Sequence, residues 1–138
     1  MNPSHNLRRL GAILSVAAAC LASTRADAAP EAKVTPLMTK DLADIAGKEG
    51  LMLVVDYPPG AVDPVHRHNA HGFIYVLEGS IVMGVRGGKD VTLTPGQTFY
   101  EGPTDVHTIG RNASKTKPAK FVVFLVKEKG APVLIPTN

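Results

Sequence analysis

Tryptophan is absent from this 138-residue chain, cysteine occurs once, and aromatic residues make up 5% of it. The one cysteine, Cys20, lies in an apolar N-terminal stretch. The remainder therefore has no disulfide and no thiolate ligand. Any metal bound there must use imidazole, carboxylate or water. No apolar run reaches the roughly 20 residues that a membrane-spanning helix requires. Leu10 to Ala22, about thirteen residues, is almost wholly apolar and carries no charge, and it follows the basic pair Arg8-Arg9.

That stretch reads as a secretion signal. Basic residues come first, an apolar segment follows, and Ala26-Asp27-Ala28 has the small-x-small form of a cleavage site. Residues 1–28 are assigned to the signal, with the cut after Ala28, and the mature protein is expected in the periplasm or outside the cell. Cys20 follows Val16-Ala17-Ala18-Ala19 without the leucine expected three residues before a lipidated cysteine, so simple cleavage ranks above lipidation. Adjacent arginines are too common in basic leaders to specify the twin-arginine route.

A strong excess of charge of one sign is also missing. The leader takes three of the 15 Lys and Arg residues and one of the 12 Asp and Glu, leaving 12 against 11. The basic character of the whole chain is thus mostly the leader's, which argues against a nucleic-acid partner and against stable membrane insertion after cleavage. A mature chain of this size has material for one hydrophobic core.

Long amphipathic helical patterns are lacking beyond residue 50. Short apolar segments recur instead, divided by Gly, Pro and Asp. Strands are expected over 51–56, 73–77, 80–85, 91–93, 98–101, 106–109 and 121–126, with Arg86-Gly87-Gly88-Lys89-Asp90 as a hairpin turn. The pattern is that of an all-β sandwich or barrel. Residues 29–49 read as an N-terminal arm with one short helical turn over Thr39–Ile45. The barrel spans 50–130, and 131–138 is a C-terminal tail.

Four histidines fall in the mature chain, three of them within six residues: His66, His68 and His71. On a strand, side chains alternate faces, so His66 and His68 point the same way and can reach one ion. His107 begins another β segment and is placed to add a third imidazole. Imidazole suits borderline divalent ions such as Zn, Fe, Ni or Cu. A lone His-x-His at a strand end is weak evidence. Here it follows a Gly/Pro turn, precedes an apolar strand, and is joined by a histidine after a second Pro turn.

These residues carry a family resemblance. Gly60, then His66-Arg67-His68, then Tyr75-Val76-Leu77-Glu78-Gly79 resembles the first signature of the cupin superfamily. Gly96 to His107, with Asn112 beyond, resembles the second. The resemblance covers roughly 50–127. It implies a single jelly-roll β-barrel holding one divalent metal ion (Fe, Mn, Zn or Ni) on His66, His68 and His107. It also implies a small-molecule ligand or substrate, with oxygenase-like, isomerase, decarboxylase or lyase chemistry, or a non-catalytic binding module. A homodimer formed by pairing barrel edges is the family expectation, and the apolar strand 121–126 is a candidate contributor.

The sequence departs from the pattern where the first signature has a glutamate, four residues after the second histidine. Gly72 stands there. His71 and Glu101 compete to fill the gap. His71 needs a tight loop at Asn69-Ala70 to turn inward, and it is favoured as the fourth ligand. Glu101 is assigned to catalysis, as a general base or an orienter of the ligands. Tyr75 and Tyr100 are read as packing residues in the core or across strands, with cavity lining as the alternative. Arg67 should face away from the ligands. Glu78 is a turn residue, and Lys115 to Lys120 a solvated loop. Asn112-Ala113-Ser114 matches a glycosylation acceptor, which the bacterial-type leader makes irrelevant.

Overall fold

The computed structural model describes residues 28–138. The secretion signal assigned to residues 1–28 lies, but for its last residue, outside them. Ten strands form two five-stranded antiparallel sheets: β1 (Lys33–Asp41), β2 (Lys48–Tyr57), β3 (His66–Arg67), β4 (Ala70–Glu78), β5 (Ile81–Val85), β6 (Val91–Leu93), β7 (Thr98–Glu101), β8 (His107–Asn112), β9 (Ala119–Glu128) and β10 (Ile135–Pro136). One sheet has the order β1-β2-β9-β4-β7, the other β10-β3-β8-β5-β6. The two sheets are those of a jelly roll, and no helix occurs among the described residues.

Alternation builds the core. In β2, Leu51, Leu53, Val55 and Tyr57 turn inward. In β9, Phe121, Val123 and Leu125 do the same, paired with β2 in continuous register. Ile74, Val76, Ile81, Met83 and Leu93 close the core from the remaining strands. The Tyr57 and Phe121 rings meet edge to face, with centroids 4.9 Å apart. Gly79 ends β4 in the left-handed region, where a Cβ would also collide with the Pro118 carbonyl and Ala119, so glycine is required at this turn.

Two expectations about the frame are corrected. The arm at 29–49 has no helical turn over Thr39–Ile45. It contributes the nine-residue strand β1, followed by two successive turns closed by Ile45 N–H to the Leu42 carbonyl and Lys48 N–H to the Ile45 carbonyl. Strand β1 lies at the sheet edge and is almost wholly exposed, so it lacks the buried alternation that marks the other strands. The apolar strand at 121–126 is not a free edge either. As β9 it lies between β2 and β4, with its hydrogen-bonding groups engaged on both sides.

The C-terminal residues do more than trail away. β10 pairs with β3, matching Ile135 to Arg67 and Pro136 to His66. Arg86 donates to the Asn138 carbonyl at 2.8 Å. Lys127, buried near the other end of this segment, holds the Ala131 carbonyl at 2.6 Å and Glu49 at 2.6 Å. The tail is thereby strapped across the strand that carries His66.

Candidate metal centre

His66 and His107 are directly paired across β3 and β8. His68 follows His66 by two residues and keeps the same facing. The three imidazoles can each offer a ring nitrogen to one point, those atoms lying within 4.8 Å of one another. His66, Glu101 and His107 are 3%, 4% and 4% exposed, so the groups are withdrawn from water.

The hydrogen bonds fix which nitrogens face inward. His66 Nδ1–H donates to the Pro64 carbonyl at 2.7 Å, and His68 Nδ1–H donates to the Val133 carbonyl at 2.5 Å. A carbonyl only accepts, so each Nδ1 carries a proton, and in the neutral imidazole each Nε2 is left with its lone pair. Those two Nε2 atoms face each other at 3.1 Å. Two lone pairs at that distance repel unless a cation or proton lies between them. His107 sharpens the point, because both of its ring nitrogens are buried with no hydrogen-bond partner. Natural proteins rarely leave buried polar atoms unmatched. The donor set therefore fits a divalent cation.

Glu101 joins this cluster. Its Oε1 lies 3.1 Å from His68 Nε2, and its Oε2 lies 3.7 Å from His107 Nδ1. It reaches the site from β7, directly opposite Gly72 on β4. A Cβ on residue 72 would stand 2.7 Å from Glu101 Cγ and 2.8 Å from Oε1, so the bare glycine leaves the space that the carboxylate occupies.

His71 is a correction. Asn69 does adopt a left-handed conformation, with φ 50°, but strand parity survives it. Ala70 and Gly72 are buried while His71 and Phe73 point outward. His71 is hydrogen-bonded through Nδ1 to the Tyr100 hydroxyl at 2.8 Å on the exposed face, away from the other three histidines. Tyr75 and Tyr100 neither fill the core nor line the cavity at the cluster, being 48% and 51% exposed on that outer face, where Tyr100 packs across strands on Phe73 as expected. Arg67 faces outward, as expected.

The electrostatics follow from burial and proximity. Burial dominates at His107 and pushes its pKa down to about 4, helped by His66 and His68 and opposed by Glu101. Burial also raises Glu101 and lowers His68. The hydrogen bond and opposite charge between these two outweigh it, leaving the Glu101 carboxyl below its ordinary range and the His68 imidazole above its own. Without a cation, the proton shared with Glu101 relieves the crowding at His68 Nε2.

Sequence reasoning missed two residues beside the cluster. The Tyr57 hydroxyl donates to Asp63 Oδ2, and both residues line the same cavity. Burial pushes the Asp63 carboxyl up, against the Tyr57 hydrogen bond and the nearby His66 and His68. Burial and Asp63 together raise the Tyr57 phenol, which stays protonated. Asp63 directly precedes a proline in a loop, and nothing local signals that it turns inward. Asn112 has a structural role. Buried, it donates to the Tyr57, Pro58 and Lys117 carbonyls and accepts from Ser114 N–H, which removes it from any glycosylating enzyme.

Comparison with known proteins agrees with this geometry. A family model described as "Cupin domain" matches residues 53–125. No curated protein sequence matches the chain. Among solved structures, an oxalate oxidase in complex with the substrate analogue glycolate is 26% identical with a TM-score of 0.57, covering 75% of this chain and 54% of that one. The polyketide cyclase RemF from Streptomyces resistomycificus is 21% identical, with a TM-score of 0.58 and coverage of 80% and 73%. The DMSP lyase DddQ from Ruegeria pomeroyi DSS-3 is 22% identical, with a TM-score of 0.56 and coverage of 64% and 43%. The chain thus spans only about half the oxidase and less than half the lyase.

Proposed function

Because the chain belongs to the cupin family, we propose that it is an exported metal-dependent enzyme acting on a small molecule inside its barrel. His66, His68, His107 and Glu101 would hold one divalent ion. The observation that carries this is the pair of Nε2 atoms 3.1 Å apart, each ring fixed by a backbone carbonyl behind it, beside a buried histidine with no hydrogen-bond partner. A bound divalent ion supplies Lewis-acid polarisation of a substrate oxygen. The protein's own groups do the rest. Glu101 provides the anionic oxygen of the donor set and a proton acceptor at its second oxygen. Asp63, backed by Tyr57, provides another acceptor, and the apolar walls exclude water. The solved relatives named for reactions act on different small molecules, so the fold leaves the choice of reaction open.

The test is elemental analysis. The secreted protein should hold about one divalent ion per chain, and His66→Ala with His68→Ala together should remove it. Unchanged metal content in that double variant sinks the assignment. A loaded protein that turns over no small oxygen-bearing compound would instead be a binding module.

Export and dimerisation belong to the same proposal. Export predicts a mature N-terminus at Ala29. For the dimer, the support is the outer face of the β1-to-β7 sheet, where Phe73, Tyr75 and Tyr100 are exposed and Phe73 sits 5.4 Å and 6.4 Å, by ring centroids, from Tyr100 and Phe124. An apolar face of this kind suits burial against a second barrel. Sedimentation should show a dimer that Tyr75→Asp dissociates.

A further inference from the structure

The cavity beside the histidine cluster has a volume of about 280 Å³, at the small end for ligand pockets. Its walls are apolar: Leu53, Val55, Met83, Phe121, Val123 and Leu125 from the barrel, with Val133 and Leu134 of the strapped tail at one side. Polar groups are confined to the histidine cluster with Glu101, and to Asp63 with Tyr57. No lysine or arginine lines it among the described residues. Both charged lining side chains other than histidine are therefore acidic. Together they match the charge of a divalent ion, which leaves the polar end near neutrality.

This chemistry selects against charged ligands. A carboxylate or phosphate would add negative charge to a polar end where Asp63 and Glu101 already balance the ion and no lysine or arginine is at hand. An ammonium would have to lose its water against aliphatic walls. What the walls favour is a single ring or short carbon chain. What the polar end favours is a hydroxyl, since Asp63 Oδ2 is engaged by Tyr57 while its Oδ1 has no protein donor among the described residues. We propose that the cavity takes a small, uncharged, largely apolar alcohol or phenol, with its hydroxyl between Asp63 and the His–Glu101 cluster. This rests on the cavity being the substrate site, as in the function proposed above, and it adds the class of molecule admitted.

Binding of phenol, benzyl alcohol, benzoate and oxalate tests it, by calorimetry or ligand-observed NMR on the zinc-loaded chain, with metal content measured on the same preparations. Phenol and benzyl alcohol are expected to bind at least roughly tenfold more tightly than benzoate and oxalate. Val123→Trp, which fills the cavity from β9, should abolish phenol binding while zinc content stays unchanged. If that variant fails to fold by thermal melting, Asp63→Asn provides the second measurement. It keeps an acceptor for Tyr57 but removes the charge, and it should narrow the phenol-to-benzoate ratio about tenfold. Benzoate or oxalate binding as tightly as phenol overturns the proposal, and so does the failure of every probe to bind a chain that carries its zinc. Probes that bind a chain unable to hold zinc would overturn the metal assignment alone.

Discussion

Gly72 and Glu101 face each other across β4 and β7, and the side chain that the first lacks is replaced in space by the carboxylate of the second. The pair therefore acts as one position divided between two strands. Glu101→Gln is expected to lower zinc or manganese affinity by about 10–100-fold, and Gly72→Glu alone to weaken it through the clash. The double variant Gly72→Glu with Glu101→Gly should recover most of the loss. Manganese EPR and metal titration read the outcome directly. A double variant no better than either single change would show that the two positions are not exchangeable.

The metal-free protein should lose stability in acid because of His107. Its folded pKa is about 4 against an ordinary 6.5, so between those values the unfolded chain binds more protons. The contribution is complete above about pH 6.5 and is lost as pH falls towards 4, approaching about 3 kcal/mol. Glu101 has a lowered carboxyl pKa, so its contribution is lost only at lower pH. His68, with a raised pKa, acts in the opposite sense. It adds stability below its unfolded value and loses it as pH rises through the folded one. Urea melts in chelator at pH 7, 5.5 and 4 should show the decline, and His107→Gln should flatten it.

Removing residues 132–138 should cost the metal before it costs the barrel. The deletion takes away the Val133 carbonyl that holds His68 Nδ1–H and the β10 partner of β3. A drop of about 10–100-fold in metal affinity is expected from the loss of such an orienting partner. The β2–β9–β4 pairing is untouched, so far-UV circular dichroism should change little. Full metal affinity in the truncated chain would remove the strap from the account of the site.

Asn112→Asp should be more damaging than Asn112→Ala. The amide points its Nδ2 at three carbonyl oxygens, and a carboxylate there would meet them all without a proton to donate. Asn112→Ala should cost about 1–3 kcal/mol through unsatisfied groups. Thermal melting of the two variants at pH 7 ranks them, and the reverse order would contradict this role.

The parts of the site that could be read from sequence were those set by local periodicity. His66 and His68 share a face because side chains on a strand alternate, and the turns around them are written in Gly and Pro. Strands β2 and β4 to β9 followed from short apolar runs, which the two-residue β3 does not have. What escaped was set by pairing between distant segments. Choosing Glu101 over His71 requires the register of β7 on β4, which no window of sequence contains. Tyr57 and Asp63 meet only when β2 ends beside the loop before β3. Strand β1 went unseen because an exposed edge needs no buried stripe. Tyr75 and Tyr100 were legible as packing aromatics but not by face: Tyr100 packs across strands on Phe73, on the outer face of the sheet.

The bond from His68 to Val133 joins residues 65 positions apart. Such distant closures slow folding, since the intervening chain must be gathered before the contact gives anything back. The backbone support of His68 is thus complete only once the chain beyond β9 has folded back onto β3. A chain still being synthesised lacks the Val133 carbonyl until its last residues emerge, so His68 has no fixed orientation before then.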